Sequence, residues 1–149
     1  MKTLVTLAAL LTSTISFAGV DTETDKNGVI LAGYDAVAYF TENAPVEGYA
    51  GISAVYNGAI YHFSSNENRD AFNANPAKYA PQYGGFCAYG AALGKKFEID
   101  GKAFEVLDGK LYVNKNADVY EVWSEDKADN VTTANKKWTK IEKVAADKL

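Results

Sequence analysis

The sequence predicts an α+β fold: a small antiparallel sheet of hairpins, with short helices packed on it and a C-terminal amphipathic helix. Asn57-Gly58 and Asp108-Gly109 each separate two apolar runs, which is the strongest short-range signal for a β-hairpin. The segment Ser64-Ser65-Asn66-Glu67 is typical of a helix N-terminus. Pro76 prevents that helix from passing Asn75, because proline disfavours helical geometry in the preceding residue.

The strands follow from apolar alternation around these turns. The first hairpin is expected to have strands near residues 52–56 and 59–63. Residues two apart share a strand face, so His62 lies on the face of Ile60, and we expect this face to meet a core or pocket rather than water. Between Lys95 and Asn114, three alternating runs predict a meander of three short strands with turns at Asp100-Gly101 and Asp108-Gly109.

Five further segments have a predicted local structure. A capping box formed by Ser64 and Glu67 starts the first helix at Ser65. Residues 76–79 form a short helical turn, and Gly84-Gly85 permits a tight bend before Cys87. Residues 119–123 are expected to form a short helix, and residues 133–145 an amphipathic terminal helix.

The chain is expected to divide into three parts. Residues 1–18 have the pattern of a secretory signal peptide: a positive Lys2, an apolar stretch, and small residues before a cleavage point after Ala18. Residues 19–28 are polar and lack a regular period, so a flexible N-terminal arm is predicted. Residues 29–149 are expected to form a single domain with a C-terminal helical extension.

The net charge and the cysteine content exclude some classes of function. Removal of the leader leaves 14 basic and 19 acidic residues, a formal charge of −5, which argues against a nucleic-acid partner. No second long apolar run follows the leader, so the mature chain is expected outside the membrane, in the periplasm. The single cysteine has no internal disulfide partner, so its thiol is expected to be either buried or used.

The single histidine and the single cysteine are the candidate metal ligands. A thiolate from Cys87 and an imidazole from His62 suit Cu(I), because soft sulfur ligands favour monovalent copper. Zinc would need four ligands, which would bring in carboxylates such as Asp35, Glu67 or Asp70, or a water. His62 and Cys87 are 25 positions apart, so only the fold decides whether they meet.

Two alternatives need no metal. In the enzymatic one, His62 draws the proton from Cys87 and the Gly84-Gly85 amides hold an oxyanion, although no third orienting group is identifiable. In the other, the tyrosines of this region line a pocket for a small ligand or a protein partner, with Cys87 merely packed. Core packing explains these tyrosines more simply; they are Tyr34, Tyr39, Tyr61, Tyr79, Tyr83 and Tyr89.

Several motifs together resemble the YHS domain family, a small α+β module related to the metal-binding TRASH fingers. Those motifs are Tyr61-His62-Phe63-Ser64-Ser65, Asn68, Phe72, Asn75-Pro76 and Lys78-Tyr79, with Gly33 to Phe40 as the opening segment. The stretch from Ala80 to Gly90 is similar to the variant in exported bacterial YHS proteins. The resemblance spans roughly residues 30–123 and implies a binding protein rather than an enzyme.

The resemblance also implies a metal site that this chain has altered. Many YHS modules carry cysteines at positions that correspond here to Ala38, Ser64 and Asn68. The family's cysteine site is therefore absent, and a metal would depend on Cys87 and His62. The sequence thus predicts an exported binding protein that handles a soft metal ion such as Cu(I), with the Tyr-lined binding module as the alternative.

Overall fold

A computed structural model describes residues 19–149, so the predicted signal peptide at residues 1–18 lies outside the described residues. The described chain is α+β, as the sequence predicts, with four strands in two antiparallel sheets. The strands are β1 (Tyr49–Tyr56), β2 (Ala59–Phe63), β3 (Asp100–Leu107) and β4 (Lys110–Asn114). The α-helices are α1 (Ala38–Thr41), α2 (Asn66–Ala74), α3 (Pro76–Tyr79), α4 (Ala88–Ala92), α5 (Ala117–Ser124) and α6 (Lys127–Ile141).

The first hairpin confirms the expected turn at Asn57-Gly58, where both residues have positive φ. β1 pairs with β2, with Tyr56 opposite Ala59. Along β2, Ala59, Tyr61 and Phe63 face the core, whereas the face that carries His62 is only half-buried. The core therefore lies on the face opposite the one expected for His62.

The second sheet has two strands rather than the predicted three. The turn at Asp108-Gly109 is confirmed, and it joins β3 to β4. Asp100-Gly101 is not a turn but the start of β3, where the pairing with β4 is irregular before Phe104. Gly101 is needed there because a Cβ would collide with the ring of Tyr34, a tertiary contact that local pattern does not reveal.

Helix α2 is capped one residue later than predicted. The Ser65 hydroxyl, not that of Ser64, accepts from the Asn68 amide at 3.1 Å. The helix ends at Ala74 before Pro76, and α3 begins at that proline, both as expected. The displacement of the cap leaves Ser64 free for another partner, described below.

Helix α6 also differs from the predicted terminal helix. It begins at Lys127, earlier than expected, because Asp126 accepts from the Asp129 amide as its N-cap. It ends at Ile141, before the expected end at Ala145. The short helix predicted over residues 119–123 is confirmed as part of α5. None of the helices in residues 19–149 combines the length and apolar character needed to cross a bilayer.

Two hydrophobic clusters hold these elements together. The first surrounds the first hairpin and contains Tyr39, Phe63 and Phe72, with Leu111 and Val113 of β4. The second joins α4, α5 and α6; its buried members are Tyr83, Ala88, Ala91, Ala92, Tyr112, Trp123 and Ala134. Successive side chains of β4 point to opposite faces, so Leu111 and Val113 pack in the first cluster and Tyr112 packs in the second. Strand β4 therefore lies between the two clusters.

The N-terminal segment, predicted to be a flexible arm, lies against the domain in the structure. The Asp21 amide donates to the Glu142 carbonyl at 2.8 Å, and the Glu23 amide donates to the Gly84 carbonyl at 2.9 Å. A Cβ at Gly84 would collide with the Asp21 carbonyl, so this glycine permits the close approach. The residues that hold the arm, Gly84 and Glu142, lie far from it in sequence. The polar composition of the arm does not reveal such distant contacts, and for that reason it predicts a flexible segment.

A buried lysine fastens this arm to the end of α6. The side chain of Lys96 is fully buried, and its ammonium forms a salt bridge with Asp21 at 3.1 Å. It also donates to the carbonyls of Glu142 and Val144, just beyond α6. Helix C-termini leave unpaired carbonyls, which a cation satisfies. The N-terminal arm, Lys96 and the chain after α6 thus form one connected unit.

Candidate functional site

Cys87 lies just before α4 and its side chain is fully buried. Its Sγ accepts from the Gly90 amide at 3.4 Å and donates to the Asn114 Oδ1 at 3.6 Å. Burial raises the pKa of the Cys87 thiol, partly offset by hydrogen bonds from backbone amides, among them that of Gly90. The thiol is therefore protonated at neutral pH and makes hydrogen bonds as both donor and acceptor.

His62 lies in different surroundings. It pairs with Ser53 of β1, and a Cβ built on Gly33 would be 3.7 Å from the His62 Nδ1. Gly48 packs against the backbone of His62 so closely that a side chain there would collide with it. Within residues 19–149, no hydrogen bond joins His62 to Cys87. The pairing of these two residues around a metal stays a prediction.

Asp35 forms the most highly connected polar centre of the described chain. Its side chain is fully buried in the first cluster. The Asp35 Oδ1 accepts from the amides of Val37, at 2.9 Å, and Ala38, at 3.2 Å. The Oδ2 accepts from the Ser64 amide at 2.8 Å, the Ser64 hydroxyl at 2.7 Å and the Asn68 Nδ2 at 2.8 Å. Five donors saturate a carboxylate that offers about four lone-pair sites.

The donors to Asp35 include all three positions at which many YHS modules carry cysteine. Ala38 contributes its amide, Ser64 its amide and hydroxyl, and Asn68 its carboxamide. The fold therefore brings these three positions together, as a shared site requires. In this chain the shared partner is the Asp35 carboxylate, and each side-chain oxygen of Asp35 is already engaged by backbone or side-chain donors.

The remaining carboxylates that sequence reasoning considered for zinc are not part of this centre. Glu67 and Asp70 are exposed on α2, and Asp70 forms a salt bridge with Arg69 at 3.2 Å. Among residues 19–149, no group of three or more histidine, cysteine, aspartate and glutamate side chains is arranged to hold a metal ion. The donor set that surrounds Asp35 consists of N–H and O–H groups, which do not fit a cation.

A surface cleft of about 280 Å³ lies between the first hairpin, the Pro81 turn and α6. We call it the aromatic cleft. Its aromatic lining is Tyr56, Tyr83 and Trp138, and its carboxamide lining is Asn57, Gln82 and Asn135; small residues, namely Ala77, Ala80, Pro81 and Gly84, complete it. No charged side chain is among these lining residues. Ring faces and amides together can bind an organic molecule without an ion.

The wall of the aromatic cleft depends on an unusual backbone. Tyr83, Gly84 and Gly85 are consecutive residues with positive φ, of 57°, 62° and 84°. Tyr83 has a Cβ and pays a conformational cost there, which the surrounding contacts must offset. Its hydroxyl donates to the Asn135 Oδ1 at 3.0 Å, and its ring lies 5.9 Å from that of Trp138. These contacts fix the Tyr83 ring against α6.

Of the six tyrosines considered from sequence, Tyr83 lines this cleft and the others do not. Tyr39, Tyr61 and Tyr79 are core residues, and Tyr34 and Tyr89 pack at the edges of the two clusters. The cleft residues Tyr56 and Trp138 lie outside that set. They are 82 positions apart, so sequence spacing gives no sign that they meet.

The sequence analysis also did not predict that Asp35, Ser64 and Asn68 form one polar centre. The signal in the sequence was an aspartate within an otherwise apolar run, at residues 30–40. A buried carboxylate requires donors, and the candidates were the Ser64 hydroxyl and the Asn68 amide that replace the family's cysteines. That argument joins Asp35 to both side chains, whereas the sequence analysis above named Asp35 as a candidate zinc ligand.

These features define a small α+β module built around a buried, hydrogen-bonded carboxylate. Residues 37–83 match the family model of the YHS domain. The match covers 47 of 149 residues, a narrower span than residues 30–123. No curated protein and no solved structure matches the chain. The family assignment links the fold loosely to metal binding and identifies no particular ion.

Proposed function

We propose that this chain is an exported, periplasmic YHS-domain protein that binds a small organic ligand in the aromatic cleft and holds no metal at its YHS centre. The observation that carries the proposal is the Asp35 carboxylate, which accepts five hydrogen bonds. Removal of residues 1–18 on export is part of the same proposal, supported by the leader pattern.

The chemistry of the YHS centre supports binding without a metal. Divalent zinc and monovalent copper need lone pairs directed at the ion. Here Ser64 and Asn68 direct hydrogen-bond donors inward, and the carboxylate of Asp35 takes the central position. A metal ion bound by Asp35 would have to displace those donors and would compete with three backbone amides for the same carboxylate. The centre instead fixes the start of α1 to the end of β2.

The aromatic cleft supports a binding role in place of that centre. It is built from parts of the chain that the core holds rigid, since Tyr83 belongs to the second cluster and Tyr56 packs edge-on against Phe72 with ring centroids 6.0 Å apart. A site on rigid elements binds a ligand at low entropic cost. No acid, base or nucleophile lines the cleft, which favours binding over catalysis.

Metal analysis tests this proposal. The full chain is exported in a bacterial host, the mature protein is purified without chelators, and its zinc and copper content is measured by mass spectrometry. We expect less than one tenth of an ion per chain. Zn²⁺ and Cu(I) are then titrated against competing chelators, with Asp35→Asn as the matched variant. One ion per chain in the wild type, lost in Asp35→Asn, would contradict the proposal.

A soft-metal site at Cys87 and His62 is the second candidate, and the softness of the thiolate supports it. It requires deprotonation of the buried Cys87 thiol and loss of its contact with Asn114. An anaerobic Cu(I) titration against a chelator compares the wild type with Cys87→Ala and His62→Ala. Tight binding that both substitutions abolish supports this candidate, and equal weak binding by all three proteins excludes it.

A further inference from the structure

We propose that the ligand of the aromatic cleft is a neutral saccharide ring of about one hexose in size. This inference rests on the binding function proposed above and adds the chemical class of the ligand. Its basis is the lining of the cleft, which combines ring faces with carboxamides and contains no charged side chain.

The absence of charge among the lining residues selects a neutral ligand. An anion or cation that entered the cleft would lose part of its hydration without a charged partner to replace it. The Lys96 ammonium lies 5.1 Å from the Trp138 ring centroid. That ammonium is already paired with Asp21 and two carbonyls, so it is not available to an anion.

The three carboxamides select a ligand with several hydroxyl groups. Each of Asn57, Gln82 and Asn135 offers both a donor and an acceptor, and a hydroxyl group needs both. The Asn135 Oδ1 accepts from the Tyr83 hydroxyl, so this side chain would serve a ligand mainly as a donor through its Nδ2. Donors and acceptors spaced around a ring match the alternating hydroxyls of a pyranose better than they match an apolar molecule.

The aromatic rings and the volume of the aromatic cleft also suit a pyranose ring. The C–H face of a pyranose is apolar and packs on aromatic rings, here those of Tyr56 and Trp138, while its hydroxyls point outward to polar groups. A volume of about 280 Å³ lies just below the range of about 300–1,000 Å³ for sites of drug-sized ligands, which suits a single sugar ring. The cleft is open at the surface, so the ring can belong to a free sugar or to the end of a glycan.

The test uses the indole N–H signals of the two tryptophans in ¹H–¹⁵N spectra of the mature protein. Trp138 lines the cleft, whereas Trp123 is fully buried in the second cluster, so a ligand in the cleft shifts the first signal alone. Methyl α-D-glucopyranoside and N-acetylglucosamine are titrated as neutral probes. We expect saturable shifts with a Kd of about 1 mM, given the modest affinity of a ligand of this size.

Charged and aromatic probes make the result specific. Glucuronate and glucosamine carry the same ring with a charge, and we expect each to bind at least about tenfold more weakly, since the cleft offers no counter-charge. Benzamide offers an aromatic ring and an amide without hydroxyls. Binding of benzamide in preference to the neutral sugars overturns the saccharide assignment while the binding function stands. If no probe binds and the metal titrations find an ion, both proposals fall.

Two variants and a matched control locate the site. Asn135→Ala and Gln82→Ala each remove one carboxamide and should weaken binding about threefold to tenfold, the range of one neutral hydrogen bond. Lys136→Ala alters an exposed neighbour of Asn135 on α6 that does not line the cleft, so it should leave Kd unchanged. A loss equal in all three variants contradicts the assignment. Oligosaccharides that end in the same ring, titrated in parallel, distinguish a glycan end from a free sugar.

Discussion

The Asp35 carboxylate accepts two hydrogen bonds from Ser64, one from its amide at 2.8 Å and one from its hydroxyl at 2.7 Å. This pair joins the segment before α1 to the end of β2 across 29 residues of sequence. Ser64 occupies a position at which many YHS modules carry a cysteine. In this chain the position forms two buried hydrogen bonds, and these connect the segment before α1 to the end of β2.

Replacement of Asp35 by asparagine should destabilise the protein strongly. One side-chain oxygen becomes an NH₂ group that faces donors, so several buried donors lose their acceptor. Hydrogen bonds to a charged group each contribute about 1.5–3 kcal/mol, and we expect a loss of about 3 kcal/mol in the free energy of unfolding. Urea unfolding at pH 7 measures it.

Asp70→Asn is the matched control for this substitution. Its side chain is 69% exposed and paired only with neighbouring Arg69, so the free energy of unfolding should change by less than about 0.5 kcal/mol. Equal effects of the two substitutions would show that Asp35 does not organise the centre.

Alkaline pH should destabilise the wild type through Cys87. Burial raises the pKa of this thiol, so the folded protein keeps a proton that the unfolded chain releases above about pH 8.5. The unfolded state then binds fewer protons, and the free energy of unfolding falls as pH rises, by at most about 1.4 kcal/mol per pH unit. Urea unfolding between pH 7 and 9.5 should show this slope in the wild type.

Cys87→Ala lacks the thiol and should show a flatter profile over the same range. Above about pH 10 both proteins should lose stability together, because burial also raises the pKa of Tyr39 and of Tyr61. Parallel profiles of wild type and variant below pH 9.5 would contradict a raised thiol pKa.

Local signals in the sequence were sufficient for the elements whose ends are set by neighbouring residues. Asn57-Gly58 and Asp108-Gly109 define hairpins because their backbone conformations fix the turn, and Pro76 ends α2 for a steric reason. The prediction of a third strand was wrong because Gly101 lies within β3 and is not part of a turn. Its role is to admit the Tyr34 ring, a contact between residues 67 positions apart.

The polar centre at Asp35 is formed by contacts between residues that are far apart in sequence. Ser64 was predicted to cap α2 because a serine three residues before a glutamate forms a capping box. In the fold, however, the Ser64 hydroxyl donates to the buried carboxylate of Asp35. Hydroxyl donors bond to whichever acceptor the fold brings near. Residue types at Ala38, Ser64 and Asn68 excluded a cysteine site, but only the fold identified the carboxylate that replaces it.

Glu23 should limit stability at neutral pH. Partial burial and the nearby carboxylates of Glu98 and Asp25 raise its pKa, so the folded state disfavours its charged form. The folded protein therefore binds a proton more readily than the unfolded chain, and stability increases as pH falls through the raised pKa. Glu23→Gln should raise Tm at pH 7, and this difference should disappear below about pH 4, where the unfolded carboxyl is also protonated. A lower Tm for the variant at pH 7 would refute this reasoning.

Lys96 should control the docking of the N-terminal arm. Lys96→Met keeps the length of the side chain but removes the buried ammonium that pairs with Asp21 and the carbonyls after α6. Because a partner of a buried ion pair is lost, the free energy of unfolding should fall by about 3 kcal/mol. Hydrogen exchange should also accelerate at the amides of Asp21 and Glu23, which are hydrogen-bonded only while the arm is docked. Lys95→Met, an exposed neighbour, should leave exchange at both amides unchanged, whereas protection that survives in Lys96→Met would mean that the backbone contacts alone hold the arm.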